Sequence, residues 1–191
     1  MKKLFTLLVI AMFAFTYTIS AQDISIGAKA GLNLASINGD VADDLSLDGR
    51  TSFHIGAVAN IGIGEFFAVQ PEVVYSAQGF TSDDEGEDVT GKLDYINVPV
   101  LADFTIAEGF SLQGGPQFGF NITSEAESDG ETEEIEDVES VDIGAGIGAQ
   151  YKLPVLGLFF QARYVIGFSD VVSDLDGKNS NISISVGWFF N

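Results

Sequence analysis

The segment at residues 110–123, FSLQGGPQFGFNIT, alternates. Phe110, Leu112, Phe118, Phe120 and Ile122 share one register, with Gly114 and Pro116 between them, and every position of the other register is polar or glycine. A period of two means an extended strand with two chemically different faces. The pattern recurs along the chain. Residues 25–34 set Ile26, Ala28, Ala30, Leu32 and Leu34 against Ser25, Gly27, Lys29, Gly31 and Asn33. Residues 53–63 oppose Phe53, Ile55, Ala57, Ala59, Ile61 and Ile63 to His54, Gly56, Val58, Asn60 and Gly62. Residues 67–80 oppose Phe67, Val69, Pro71, Val73, Tyr75 and Ala77 to Gln70, Glu72, Ser76 and Gln78. In residues 93–106, Ile96, Val98, Val100, Ala102 and Phe104 share a side. The last three segments, 141–152, 160–168 and 181–190, repeat the arrangement, with Gln150, Gln161, Arg163, Ser183 and Ser185 among the polar positions. The result is eight expected strands, each close to or somewhat above the ~9–11 residues that a tilted membrane strand needs.

The connections form a second pattern. Those near residues 64–66, 107–109 and 153–157 are short, whereas every other connection is long and acidic. Residues 124–140 carry nine acids and no base, and residues 81–91 carry five acids. Tight turns at one end and long loops at the other are the natural layout of an up-and-down transmembrane barrel, with periplasmic turns and extracellular loops.

Composition decides which face is outside. A soluble sandwich needs charge on its outer face, yet the polar register here is mostly glycine, serine, asparagine and glutamine, and most acids lie in connections. Eight strands with the polar face outward and so few charges on it make a poor soluble protein. With the apolar face outward they need lipid, and closure then satisfies every backbone N–H and C=O. Aromatic residues near strand ends fit the two interfacial girdles: Phe67, Phe104, Phe110, Tyr151, Phe160 and Trp188 toward the turns, and Phe53, Phe80, Phe120 and Phe168 toward the loops. The expected fold is an all-β, eight-stranded antiparallel transmembrane β-barrel.

Residues 1–21 read as a cleaved export signal: Lys2 and Lys3, an apolar run at 4–15, then TYTISA before a cut after Ala21. The barrel domain is then 22–191. Removing two lysines and no acid takes the net charge of −20 to −22, which repels nucleic acid. The absence of cysteine excludes disulfides and thiolate metal sites.

The stretches 27–37, 68–80 and 93–104 resemble the first, third and fourth strands of the small outer-membrane β-barrel family common in Bacteroidota, often described as PorT-like or "porin family". Pro71, Glu72, Tyr75, Gly79, Tyr95, Ile96 and Pro99 carry the resemblance, which extends over the whole mature chain. It implies an integral outer-membrane protein with both termini periplasmic, in contact with membrane lipid and lipopolysaccharide. It also implies a C-terminal strand read by the outer-membrane assembly machinery through Trp188 and Phe190. Such barrels usually end on an aromatic residue, and here Asn191 follows Phe190.

Eight strands enclose a space that side chains roughly fill. Lys29, Glu72 and Arg163 all point inward at similar depth and are expected to meet as a buried ionic cluster, with Gly144, Gly146 and Gly148 leaving room for long neighbours. His54, the only histidine, also points inward. Ser52 and Ser76 are the nearest candidate nucleophiles, but no nucleophile-elbow, zinc-protease or phosphate-loop motif occurs. No cofactor or metal site is expected from motif spacing. The acidic groups at Asp83, Asp84, Glu85, Glu87 and Asp88, and at Asp174, Asp176 and Asn179, depart from the calcium-loop spacing but are candidate contacts for divalent cations. These features favour a non-catalytic structural or surface-interaction role with a lumen filled by polar side chains. A narrow porin for ions or small solutes is the alternative, and an outer-membrane hydrolase the remote one.

Overall fold

The computed structural model describes residues 23–39, 47–84, 87–128, 130–135, 137–172 and 176–190. The expected export signal at 1–21, Glu85, Asp174 and Asn191 lie outside the described residues.

The chain forms β1 (Ile24–Asn38), β2 (Asp48–Gly62), β3 (Phe67–Asp84), β4 (Glu87–Ala107), β5 (Phe110–Ser128), β6 (Glu131–Glu134), β7 (Val141–Lys152), β8 (Leu158–Asp170) and β9 (Lys178–Phe189). Strand neighbours run β4-β3-β2-β1-β9-β8-β7-β5, and β4 also pairs with β5, which closes the ring. Every pairing is antiparallel. Eight strands therefore make the barrel. The short β6 is an addition to the expected set, a hairpin partner of the far end of β5.

The barrel is inside out. Leu32, Phe53, Ile55, Ile147, Ile184 and Trp188 are exposed on the outer face, while glutamine, asparagine and serine are buried on the inner one. Closure explains how this arrangement holds without an apolar core across its middle, because the ladder satisfies the backbone and lipid takes the outer face.

The two ends differ. At the turn end the connections are tight, and Gly109 (φ +74°) lets two residues join β4 to β5. Both described termini are at this end, where Phe190 N–H donates to Ile26 O at 2.8 Å. At the loop end the long connections fold over the mouth. Glu139 N–H donates to Val171 O (2.8 Å), and Val138 bridges to Val172. Ile37, Leu93, Tyr95 and Val171 form a buried apolar cap there, with Leu47, Phe80, Ile135, Val138 and Val172 packed on it.

Two expectations on β3 are corrected by this cap. Phe80 is part of it and not of the loop-side lipid girdle. Ala77, expected to face outward, is buried. The causes differ. Phe80 keeps the inward parity of Gln70, Glu72 and Gln78, opposite Gly91, whereas Ala77 lies where the β2–β3 ladder is interrupted between Gly49 and His54, as at a bulge. The connection expected at 81–91 is also mostly strand, with Asp83 paired to Asp88 and Asp84 to Glu87 in the ladder.

Candidate functional site

The lumen holds the chemistry. Its centre is Glu72, which β3 projects inward. From the opposite wall, Arg163 on β8 reaches it with a forked pair of hydrogen bonds, Nη2–H to Oε1 at 2.6 Å and Nη1–H to Oε2 at 3.0 Å. Lys29 on β1 donates to Oε2 at 2.7 Å. The arrangement depends on a missing side chain in the wall: a Cβ on Gly146 would stand 3.2 Å from Arg163 Cδ, so glycine leaves the space in which the arginine lies across the lumen. The three inward charges named from the sequence are therefore in direct contact.

Around this cluster, glutamines from four strands span the barrel. Gln70 Nε2–H donates to Glu72 Oε1 (2.9 Å), and Lys29 Nζ–H donates to Gln161 Oε1 (2.8 Å). Gln161 Nε2–H donates to Gln113 Oε1 (2.8 Å), and Gln113 Nε2–H to Asp103 Oδ2 (2.6 Å). Gln150 bonds Gln70 at 3.3 Å. Nearly every polar group is satisfied within the layer, as a buried network must be to hold one arrangement.

Toward the loop end, a second set centres on His54, which is 3 % exposed. Its Nδ1 is 3.0 Å from Asn33 Oδ1 and its Nε2 is 2.8 Å from Ser185 Oγ. Neither serine first considered is its partner: Ser52 Oγ–H donates to Ala77 O (2.6 Å), and Ser76 Oγ accepts from Asn33 (2.9 Å). Hydroxyl, imidazole and amide stand in the order of nucleophile, base and orienting group. However, the void beside them, bounded by Lys29, Asn33, His54 and Arg163 among others, measures about 20 Å³, the room of a single water.

Below the cluster, Val58, Phe159 and Phe189 make a small apolar floor, with the two phenyl rings 4.7 Å apart. Beside this floor a cavity of about 360 Å³ opens at the turn end, with Phe189 of the floor and Asp103 and Gln150 of the amide layer on its wall. Above that cavity the lumen is filled by the apolar floor with the ionic and amide layer, then by the histidine layer and the apolar cap.

At the loop end Lys92 pairs with Glu127, and the hydrogen bond holds that carboxyl below its usual range. Asp176, one of the acids first considered for cations, instead pairs with Lys178 at 2.5 Å, and Asp170 does so at 3.2 Å. Among the described residues, no three His, Asp or Glu side chains converge as metal ligands.

The parity of the strands identified the ionic cluster but not the residues that complete it. Asn33, Gln70, Gln113, Gln150, Gln161 and Ser185 all sit on the inward register of their segments, and that parity was the available signal. Which of them meet depends on strand stagger, which alternation does not encode.

No protein of curated function matches the chain in sequence. Residues 20–173 match the outer membrane protein beta-barrel domain family. In structure, the chain is similar to Neisserial surface protein A, with a TM-score of 0.59 and 15 % identity over 90 % of this chain and 100 % of that one. It is also similar to Ail, the attachment invasion locus protein of Yersinia pestis, with a TM-score of 0.56 and 19 % identity over 90 % and 100 % of the two chains. At such identities the likeness speaks to fold alone, and both are closed barrels matched along their full length. With the family match covering most of the sequence and the apolar belt facing outward, the chain belongs to the outer membrane protein beta-barrel domain family and is an integral protein of the bacterial outer membrane.

Proposed function

We propose that this barrel is a sealed surface platform: a structural or interaction protein that carries acidic loops on a stable membrane anchor and neither conducts nor catalyses. The observation that carries the reading is the closure of the lumen. Glu72 is held by Lys29 and Arg163 from different walls, the adjoining void admits about one water, and the apolar cap covers the far mouth. An ion entering this path must break a desolvated ion pair, and the energy of opposite charges at such distance in a low-dielectric interior makes that slow.

The orientation in this proposal follows the usual layout of the fold, with the tight turns and both termini in the periplasm and the long loops outside. The Pro71–Glu72 and Tyr95–Ile96–Pro99 patterns support placing the chain in the Bacteroidota, PorT-like group of small barrels. Trp188 and Phe190, both exposed on the outer face of the last turn-end segment, are suited to recognition by the assembly machinery. Lipid and lipopolysaccharide are the surroundings that the apolar belt requires. Ail has been crystallised with the heparin analogue sucrose octasulfate. The nine acids at residues 124–140 argue against a polyanionic glycan as a ligand here.

Single-channel recording in planar bilayers tests the sealed lumen. The purified, folded protein is expected to give a flat baseline at 100 mV in 1 M KCl. Stable, reproducible openings would instead establish the narrow porin. Catalysis has its own test. Ser185 is buried beside His54 with no space for an acyl group, so a fluorophosphonate probe is expected to leave the folded protein unlabelled. Labelling at Ser185 that disappears in His54→Ala would make the protein a hydrolase.

A further inference from the structure

The cavity at the turn end is independent of conduction, and its chemistry is distinctive. Asp103 lines it from β4, four residues before the strand ends. Its side chain is nearly enclosed, at 4 % exposure for the residue. It accepts a hydrogen bond from Gln113 Nε2 and has no cationic partner among the described residues. An enclosed carboxylate without a counter-charge is the costly arrangement that native structures ordinarily avoid. A second carboxylate, Glu108, lines the same cavity at its rim. The cavity's one cation, Lys152, has its Nζ 4.9 Å from the centre of the Phe189 ring, over its face. Two carboxylates against one ammonium leave the cavity with a net negative charge.

We propose that this cavity is a binding site for a small organic ammonium ion, a primary alkyl amine or diamine. The ammonium group pairs with Asp103, and a second one, where present, reaches Glu108. The ring of Phe189, together with Pro154 and Ala68, offers an apolar wall to the methylene chain between them. The volume of about 360 Å³ lies at the small end of the range for ligand cavities. A divalent metal suits the site poorly, because among the described residues no three acidic or histidine side chains converge there as ligands. In the orientation proposed above, the mouth opens to the periplasm. The inference does not rest on the sealed lumen, and its failure would leave that reading as it stands.

The test is calorimetric titration of the full-length protein, folded in detergent micelles, with 1,4-diaminobutane at low salt, alongside amide chemical shifts. Saturable one-to-one binding is expected, with the largest shifts at Thr105, Gly109 and Ser111, which line the cavity. Asp103→Asn is expected to weaken it at least tenfold, whereas Lys152→Ala, which removes the competing ammonium, is expected to tighten it. Glu131→Gln, in the loop-end hairpin, controls for diffuse attraction to the acidic loops and should change nothing. Absence of saturable binding, or binding that Asp103→Asn leaves intact, overturns the site. So do shifts confined to the loop end, or millimolar calcium that competes for the same amides. The wild-type shift map decides the matter even if Asp103→Asn fails to fold.

Discussion

Replacing Glu72 with alanine is expected to destabilise the barrel by about 3–5 kcal/mol, the usual consequence of removing one partner from a buried ion pair. The reason is asymmetric. The pair's net contribution is small, because each charge loses its hydration on burial, but Glu72→Ala leaves Lys29 and Arg163 facing each other with no anion between them. Urea unfolding of protein reconstituted in vesicles, followed by the mobility shift between folded and unfolded bands, reads the loss. The companion experiment removes all three charges at once. Lys29→Met, Glu72→Leu and Arg163→Met together are expected to lose far less than Glu72→Ala alone, since an apolar filling of similar volume restores packing without stranded charge. Equal losses in the two variants would show that the cluster's hydrogen bonds, and not its charge balance, hold the lumen together.

The second large effect lies on the other face. Ile184 sits mid-strand on β9, beside Leu32 and Ala162, and is exposed on the outer surface. Ile184→Arg is expected to reduce stability in vesicles by about 2–4 kcal/mol, the penalty of a cation near the bilayer midplane. Ile184→Leu should be close to neutral. The neighbouring inward residue offers a contrast, because Ser183→Ala exchanges one small lumen group for another. A vesicle measurement in which Ile184→Arg loses no more than Ser183→Ala would mean that this face does not meet hydrocarbon.

These two residues also mark how much of the fold is legible in the sequence. Ile184 and Glu72 were assigned to opposite faces by parity alone, because lipid on one side and a wet lumen on the other impose a strict period of two wherever the strand crosses the membrane. Above the belt that pressure disappears. Residues 81–91 are polar on both faces, so their continuation as the hairpin of β3 and β4 left no trace in the pattern, although the ladder simply runs on. The same holds for β6, paired through backbone alone in an acidic stretch. Phe80 differs for another reason: counted from Phe67 it falls on the inward register, where the ladder with β4 keeps it, and its place in the girdle rests only on its being an aromatic near a strand end. In the lumen, parity placed Lys29, Glu72, Arg163 and His54 inside but could not rank distances across the barrel. Ser52 and Ser76, the serines nearest His54 by position, bond elsewhere, and its hydroxyl partner is Ser185 on β9.

The strands that wall this barrel are very unequal. β4 has 21 residues and β7 has 12. The nine-residue difference amounts to roughly 30 Å along a strand, or about 20 Å of height at a tilt near 45°. Among the described residues, the strand wall thus rises highest over β3, β4 and β5 and is lower over β7, β8 and β9. A large molecule approaching from the medium meets the tall flank first, so its encounters with the barrel are uneven in azimuth.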